Sequence, residues 1–145
     1  MKKSEIANVY GIIRKLDAKN VESDVRAKML ANTIIGKKAA TEIEEADKTV
    51  KEGLTDEEKE AMQTIQKAQE KVGKDKNYVL TDEEKKAVEV VNAWNKTYKD
   101  AMQKELDTEV DAKFETLSKE ELNKLAEGNS LTFDELVLLS EALVA

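Results

Sequence analysis

Histidine, cysteine and proline are absent from this 145-residue chain, glycine occurs five times, and aromatics make up 4%. Each absence removes a class of function. Without histidine, no side chain titrates near neutrality by default. Without histidine or cysteine, structural zinc and most transition-metal sites have no ligands. Di-iron helical bundles, which use Glu-x-x-His pairs, are excluded in their usual form. No disulfide framework exists, so cysteine usage is silent on compartment. The glycines, at 11, 36, 53, 73 and 128, are scattered, so no Gly-rich phosphate cradle forms. No run approaches the roughly 20 apolar residues of a membrane helix. The longest apolar stretch near the start, Val9-Tyr10-Gly11-Ile12-Ile13, is too short for a secretory signal. A cytosolic setting away from membranes is expected.

What remains is charge and helical periodicity. Charged residues are 38% and the net charge is −7. Residues 1–38 carry nine basic against four acidic side chains, and residues 39–145 carry 15 against 27. The acidic part repels nucleic-acid phosphates. The basic part holds a single aromatic, Tyr10, and lacks the interleaved stacking residues of a single-strand binder. It reads as a solvated basic face.

Ile6, Val9, Tyr10, Ile13 and Leu16 share one face of a first helix, with Ser4 as its cap. A long second helix follows from Ser23 and stops at Gly53. Its seam Val25, Met29, Asn32, Gly36, Ala39, Ile43, Ala46, Val50 steps by fours and threes. Small residues mid-seam predict a close helix crossing near Gly36 and Ala40. Leu30, Ile34 and Ile35 widen the stripe, so the first half should be buried and the second half more exposed.

Four capping boxes mark helix starts: Thr55 with Glu58, Thr81 with Glu84, Ser118 with Glu121, and Thr132 with Glu135. The first two sit in copies of one string, Leu-Thr-Asp-Glu-Glu-Lys, at 54–59 and 80–85; convergent capping explains them better than duplication. The third helix should run from Asp56 to about Val72, with Met62, Ile65, Ala68 and Val72 inward and Gly73 as its stop. The fourth should run from Asp82 to about Leu106, with Trp94 as a core anchor. Between Thr108 and Leu117 the period changes to two, predicting a short extended or β element near 109–115, with Tyr78-Val79-Leu80 as the one other β-like stretch. Short helices then end at Gly128 and Leu143. Phe133 to Val144 is apolar on most faces and must be covered, by its own core or by another chain.

The expected fold is mostly all-α: a single-domain bundle of five or six helices over 1–145, with an N-terminal hairpin at 1–53 and a C-terminal helical part at 54–145.

Carboxylates supply the only candidate chemistry. An EF-hand starting at Asp75 has Asn77 third but Leu80 sixth and Lys86 twelfth, lacking the glycine and terminal glutamate. A magnesium site from Glu57, Glu58, Glu83 and Glu84 is better explained by the helix dipole. No catalytic residue and no cofactor are expected.

The order Gln103-Lys104-Glu105-Leu106, Asp107-Thr108-Glu109-Val110, Leu117-Ser118-Lys119-Glu120-Glu121-Leu122 and Leu131-Thr132-Phe133-Asp134-Glu135-Leu136 resembles short uncharacterised helical proteins of tailed bacteriophages and prophages, over residues 80–145. That resemblance implies a phage or mobile-element origin, and with it a bacterial cytoplasm or a virion. It carries no catalytic residues.

The functional expectation is a non-enzymatic adaptor or inhibitor binding a host or phage protein with a basic surface. An acidic face of Asp56, Glu57, Glu60, Glu83 and Glu89 would provide the charge. Phe133, Leu136, Leu139 and Leu143 would provide an apolar contact. The competing expectation is a virion or assembly component that forms a homo-oligomer. A magnesium-dependent, carboxylate-only enzyme comes third.

Overall fold

Each capping box opens a helix in the computed structural model, which describes residues 1–145. The hydroxyls of Thr55, Thr81, Ser118 and Thr132 accept the amide three residues on, and the glutamate there accepts the cap residue's own amide in return. The helices so started are α3 (Asp56–Lys74), α4 (Asp82–Leu106), α5 (Lys119–Glu127) and α6 (Phe133–Leu143), preceded by α1 (Lys3–Ile13) and α2 (Ser23–Glu52). Helix accounts for 72% of the chain, and no strand or sheet forms.

The start of α1 differs from expectation. Ser4 lies inside the helix; Lys2 is the cap residue, and its amide donates to Glu5 at 2.7 Å. The reason is long-range. Lys3 N donates to Thr108 O at 3.0 Å and Val110 N to Met1 O at 2.9 Å, which holds the entering chain extended. Ser23 is likewise the first helical residue of α2 rather than its cap. Gly73 does not stop α3, which runs one residue further.

The extended element at 109–115 makes no strand. Its side chains do alternate, with Phe114 buried and Asp111, Lys113 and Glu115 exposed. Backbone pairing is limited to isolated bridges, Lys2 with Glu109 and Leu117 with Val144. Asn32 replaces the missing ladder. It is fully buried in α2, donates from Nδ2 to Glu115 O at 2.9 Å and accepts from Glu115 N at 2.7 Å. Asn129 does the same for the α1–α2 loop, accepting from Asp17 N at 2.7 Å and donating to Asp17 O at 3.0 Å. Tyr78 to Leu80 is also outside any strand.

The chain divides into two compact units, one formed by residues 1–44 with 105–145 and the other by residues 45–104. The first holds the large apolar core. Ile6, Val9, Ile12 and Ile13 of α1 meet Val25, Met29 and Ala39 of α2, Phe114 and Leu117 of the extended segment, and leucines of α5 and α6. The seam of α2 is buried through Ala39, as its periodicity predicts, but Leu30 and Ile34 are not: they are 63% and 62% exposed. The predicted crossing is found at Gly36, where an added Cβ would lie 2.5 Å from Tyr10 Cβ.

The second unit has a different interior. Its buried apolar residues are Ala61, Ala68 and Ala87, so it holds no large buried apolar side chain. Met62 and Ile65 are half-buried and Val72 is exposed. Trp94 is half-buried rather than a core anchor, and stacks on Tyr98 one turn later at 5.2 Å between ring centroids.

The capping glutamates tie helix starts to pH. Glu121 and Glu135 are held below the usual carboxylate range, first by the backbone amides of Ser118 and Thr132, then by Lys28 and Lys15. A carboxyl with a depressed folded pKa stabilises above its unfolded value, and that contribution disappears as pH falls through the folded value. Below roughly pH 4, the ordinary glutamate range, α5 and α6 should loosen before α1. Amide exchange followed against pH checks this, and in Glu135→Gln the α6 part of the response should be lost.

Candidate functional site

The five acidic residues expected to form one binding face are all exposed in the second unit, and basic side chains share the strip that two of them occupy on α3. At 100° per residue, Lys67 and Lys74 fall on the same strip of α3 as Asp56 and Glu60, and Glu83 and Glu89 lie about 120° apart on α4. Glu57 stands off that strip as well. Residues 45–104 hold 14 acidic and 12 basic side chains, close to balance. The acidity is concentrated in residues 105–145, with 11 acidic against three basic.

That segment is partly neutralised by residues 1–44 of the same unit. Lys3 bridges Glu42, at 2.8 Å, and Glu105, and its pKa is raised by both. Lys2 meets Asp107 at 2.8 Å, Lys28 meets Glu121 at 3.4 Å and Lys15 meets Glu135 at 3.6 Å. Four of the nine cations in residues 1–38 thus serve as internal counter-charges to the acidic C-terminal region.

Helix α6 has one side covered by the core and one side left uncovered. Leu139 and Leu143 are 0% exposed and pack into the core, so they are unavailable to a partner, and Leu136 is half-buried. Phe133, 79% exposed, and Val137 lie within about 40° of each other on the outer side, with Glu141 and Asp134 next to them and Leu138 beyond. Neither Asp134 nor Glu141 belongs to any of the ion pairs formed in the unit. Leu138, Glu141 and Ala142 also form one wall of a 360 Å³ groove whose other wall is Met1, Glu5, Asn8 and Val9 of the α1 region. The outer side of α6 is thus apolar at its centre and acidic around it.

A second exposed apolar pair lies in the same unit. Leu30 and Ile34 are one turn apart on α2, with exposed Arg26 one turn before and exposed Lys37 three residues after. All four fall within about 80° of helix circumference. This face is apolar at its centre and basic around it, the reverse polarity of α6.

Two polar clusters occupy the second unit. Tyr98 donates its hydroxyl to Asp47, which also meets Lys51 at 2.9 Å, while the Lys51 ammonium sits 5.9 Å from the Tyr98 ring centroid. Asp47 is held below the carboxylate range, by Tyr98 first and then Lys51, and Tyr98 is raised in turn. In the other, Tyr78 donates to Glu84 at 2.5 Å beside the Thr81 cap. Glu84 is 5% exposed and its pKa is lowered, chiefly by Tyr78. Asp47 is committed to hydroxyl and ammonium partners, and Glu84 Oε1 to the Tyr78 hydroxyl and the Thr81 amide, while Glu84 Oε2 is buried without a partner. Glu58 and Glu84 are likewise committed as capping acceptors, and no three carboxylates converge as a metal site would need.

The asparagine clamps and the α2 face escape a reading of periodicity alone. Asn32 leaves a signal, a polar residue on an apolar seam, whereas Asn129 leaves none. No helix is long and apolar enough to cross a membrane. Compared with protein-family models, curated proteins and solved structures, the chain matches none.

Proposed function

We propose that this chain works by binding protein rather than by chemistry, as an adaptor or inhibitor, and that the outer side of α6 is its docking surface. In this reading the partner belongs to a bacterial cell or a virion, as the resemblance of residues 80–145 to phage and prophage proteins implies. The observation that carries the reading is Phe133 standing 79% exposed with Val137 and Leu138 on one short helix, flanked by Asp134 and Glu141. Single exposed apolar residues are ordinary, but a group rimmed by charge marks interaction surfaces. An aromatic at the centre of such a surface supplies most of the affinity, and the carboxylates around it speed encounter with a cationic partner. The partner so described is an amphipathic basic segment with an apolar stripe.

The test uses a leucine–lysine amphipathic helical peptide as probe. Titrated into the isotope-labelled protein at low salt, it should shift the amide signals of residues 133–141 while leaving those of α3 and α4 in place. Phe133→Asp should weaken the response at least tenfold. Shifts confined to α3 and α4, or none, would overturn the reading.

The assembly reading has an observation of its own, the oppositely charged apolar face on α2.

A further inference from the structure

We infer that the partner of α6 is a second copy of this chain: the exposed α2 face of one copy, Arg26, Leu30, Ile34 and Lys37, docks on the exposed α6 face of the other, Phe133, Asp134, Val137 and Glu141. The inference rests on α6 being a protein-binding face and names what binds it. Both faces belong to the same compact unit, so every folded copy presents both at once. Each is built on an apolar pair four residues apart, Leu30 with Ile34 and Phe133 with Val137, which is one helical turn in both cases. Around the first pair the charges are cationic, around the second anionic. Arg26 and Lys37 enter no ion pair within the chain, as Asp134 and Glu141 do not.

The chain thus leaves one basic and one acidic amphipathic strip without an internal counterpart, while most of its other exposed cations in the N-terminal region are matched within the unit. Two helices meeting through these strips would pair apolar with apolar and opposite charge with opposite charge, and two α2 faces or two α6 faces would repel. The contact is therefore between unlike surfaces. It closes on itself if a two-fold axis lets both contacts form at once, and extends into a ring or filament otherwise. A contact of two single helix faces is small, which sets a weak, concentration-dependent association.

Sedimentation equilibrium over micromolar to millimolar concentrations reads this directly. The average mass of the wild-type chain should rise with concentration and fall as salt is raised from about 50 to 500 mM. The variant Leu30→Asp with Ile34→Asp loses the α2 face, and Phe133→Lys with Val137→Lys loses the α6 face. Each alone should remain a monomer. Mixed, they should form a one-to-one dimer and nothing larger, because one supplies an intact α6 and the other an intact α2. Recovery on mixing cannot come from misfolded variants. Wild-type protein that stays monomeric throughout overturns the inference, as does either variant associating alone, or a mixture that fails to associate while both variants keep wild-type circular dichroism. If the peptide probe still binds α6 in a chain that never self-associates, the binding face stands and only its partner is wrong. If the probe also fails, both readings fall.

Discussion

Replacing Gly36 with alanine should cost stability, whereas the same replacement at Gly11 should add it. Both glycines sit inside helices, where alanine is intrinsically favoured by about 1 kcal/mol. At Gly11 a new Cβ meets nothing within 4 Å, so that gain is kept. At Gly36 it would lie 2.5 Å from Tyr10 Cβ and 2.8 Å from Tyr10 Cγ and Cδ2. Tyr10 Cβ is fixed to the backbone and no rotamer change moves it away, so α1 must move off α2. Ile6, Val9 and Ile13 are carried on the same helix into the core, so the movement disturbs packing well beyond the crossing. Overpacking of this kind costs about 1–3 kcal/mol, enough to reverse the helix-propensity gain. Gly36→Val, with two more atoms and a stiff χ1, should cost more still. Urea denaturation checks the pair: the midpoint should fall for Gly36→Ala and rise for Gly11→Ala, with little change of slope. Equal shifts in one direction would show that α1 and α2 are not in contact at this point.

Asn32→Ala should be comparably damaging, for the opposite reason. Nothing is crowded there; two backbone groups lose their partners. Glu115 N–H and C=O are both satisfied by the Asn32 amide, and the backbone nearby has only isolated bridges to fall back on. Glu115 is itself exposed, so water replaces the lost bonds in part; at a net of about 0.5–1.5 kcal/mol per hydrogen bond, losing both should cost about 1–3 kcal/mol. Asn32→Asp separates the two bonds. The carboxylate still accepts from Glu115 N–H, but it faces Glu115 C=O with an acceptor. Protonation restores a donor, so the folded state should bind that proton more tightly than the unfolded chain does. The folded pKa is raised, and stability should therefore increase as pH falls through it. The wild-type chain loses carboxylate contributions over the same range, so the difference between variant and wild type is the quantity to follow. A variant that weakens with acid in parallel with wild type would show that Glu115 does not depend on this side chain.

The residues that were legible in sequence are those whose behaviour is local. Thr55, Thr81, Ser118 and Thr132 each start a helix because the bonds they make reach only three residues along the chain. The α2 seam reads correctly through Ala39 for a similar reason, since burial of one face needs only a periodic pattern and some core to face. Ser4 misled because the start of α1 is decided by pairing with Thr108 and Val110, more than 100 residues away. Leu30 and Ile34 misled because apolar character says a side chain should be covered, not that its own chain covers it. Charge is coarse in another way: the sum over residues 39–145 hides a nearly balanced stretch, 45–104, beside a strongly acidic one, 105–145. α6 was ambiguous because both of its sides are apolar, and only the position of α1 decides that Leu139 and Leu143 face inward while Phe133 does not.

The division of the chain also sets an order in time. The large core is built from residues 1–44 and 105–145, so its two parts are separated by the whole of the second unit. On a ribosome adding roughly 5–20 residues per second, α1 and the start of α2 wait on the order of 3–12 s for residues 45–104 alone, and about 5–20 s until Leu143 is made. The intervening stretch needs only near neighbours, helices 45–52, α3 and α4, and can assemble during that delay. Its alanine interior suits the task, because little apolar area has to be collected at once. The nascent chain thus meets its sequence-distant contacts last, after the segment that separates them has already shortened the search.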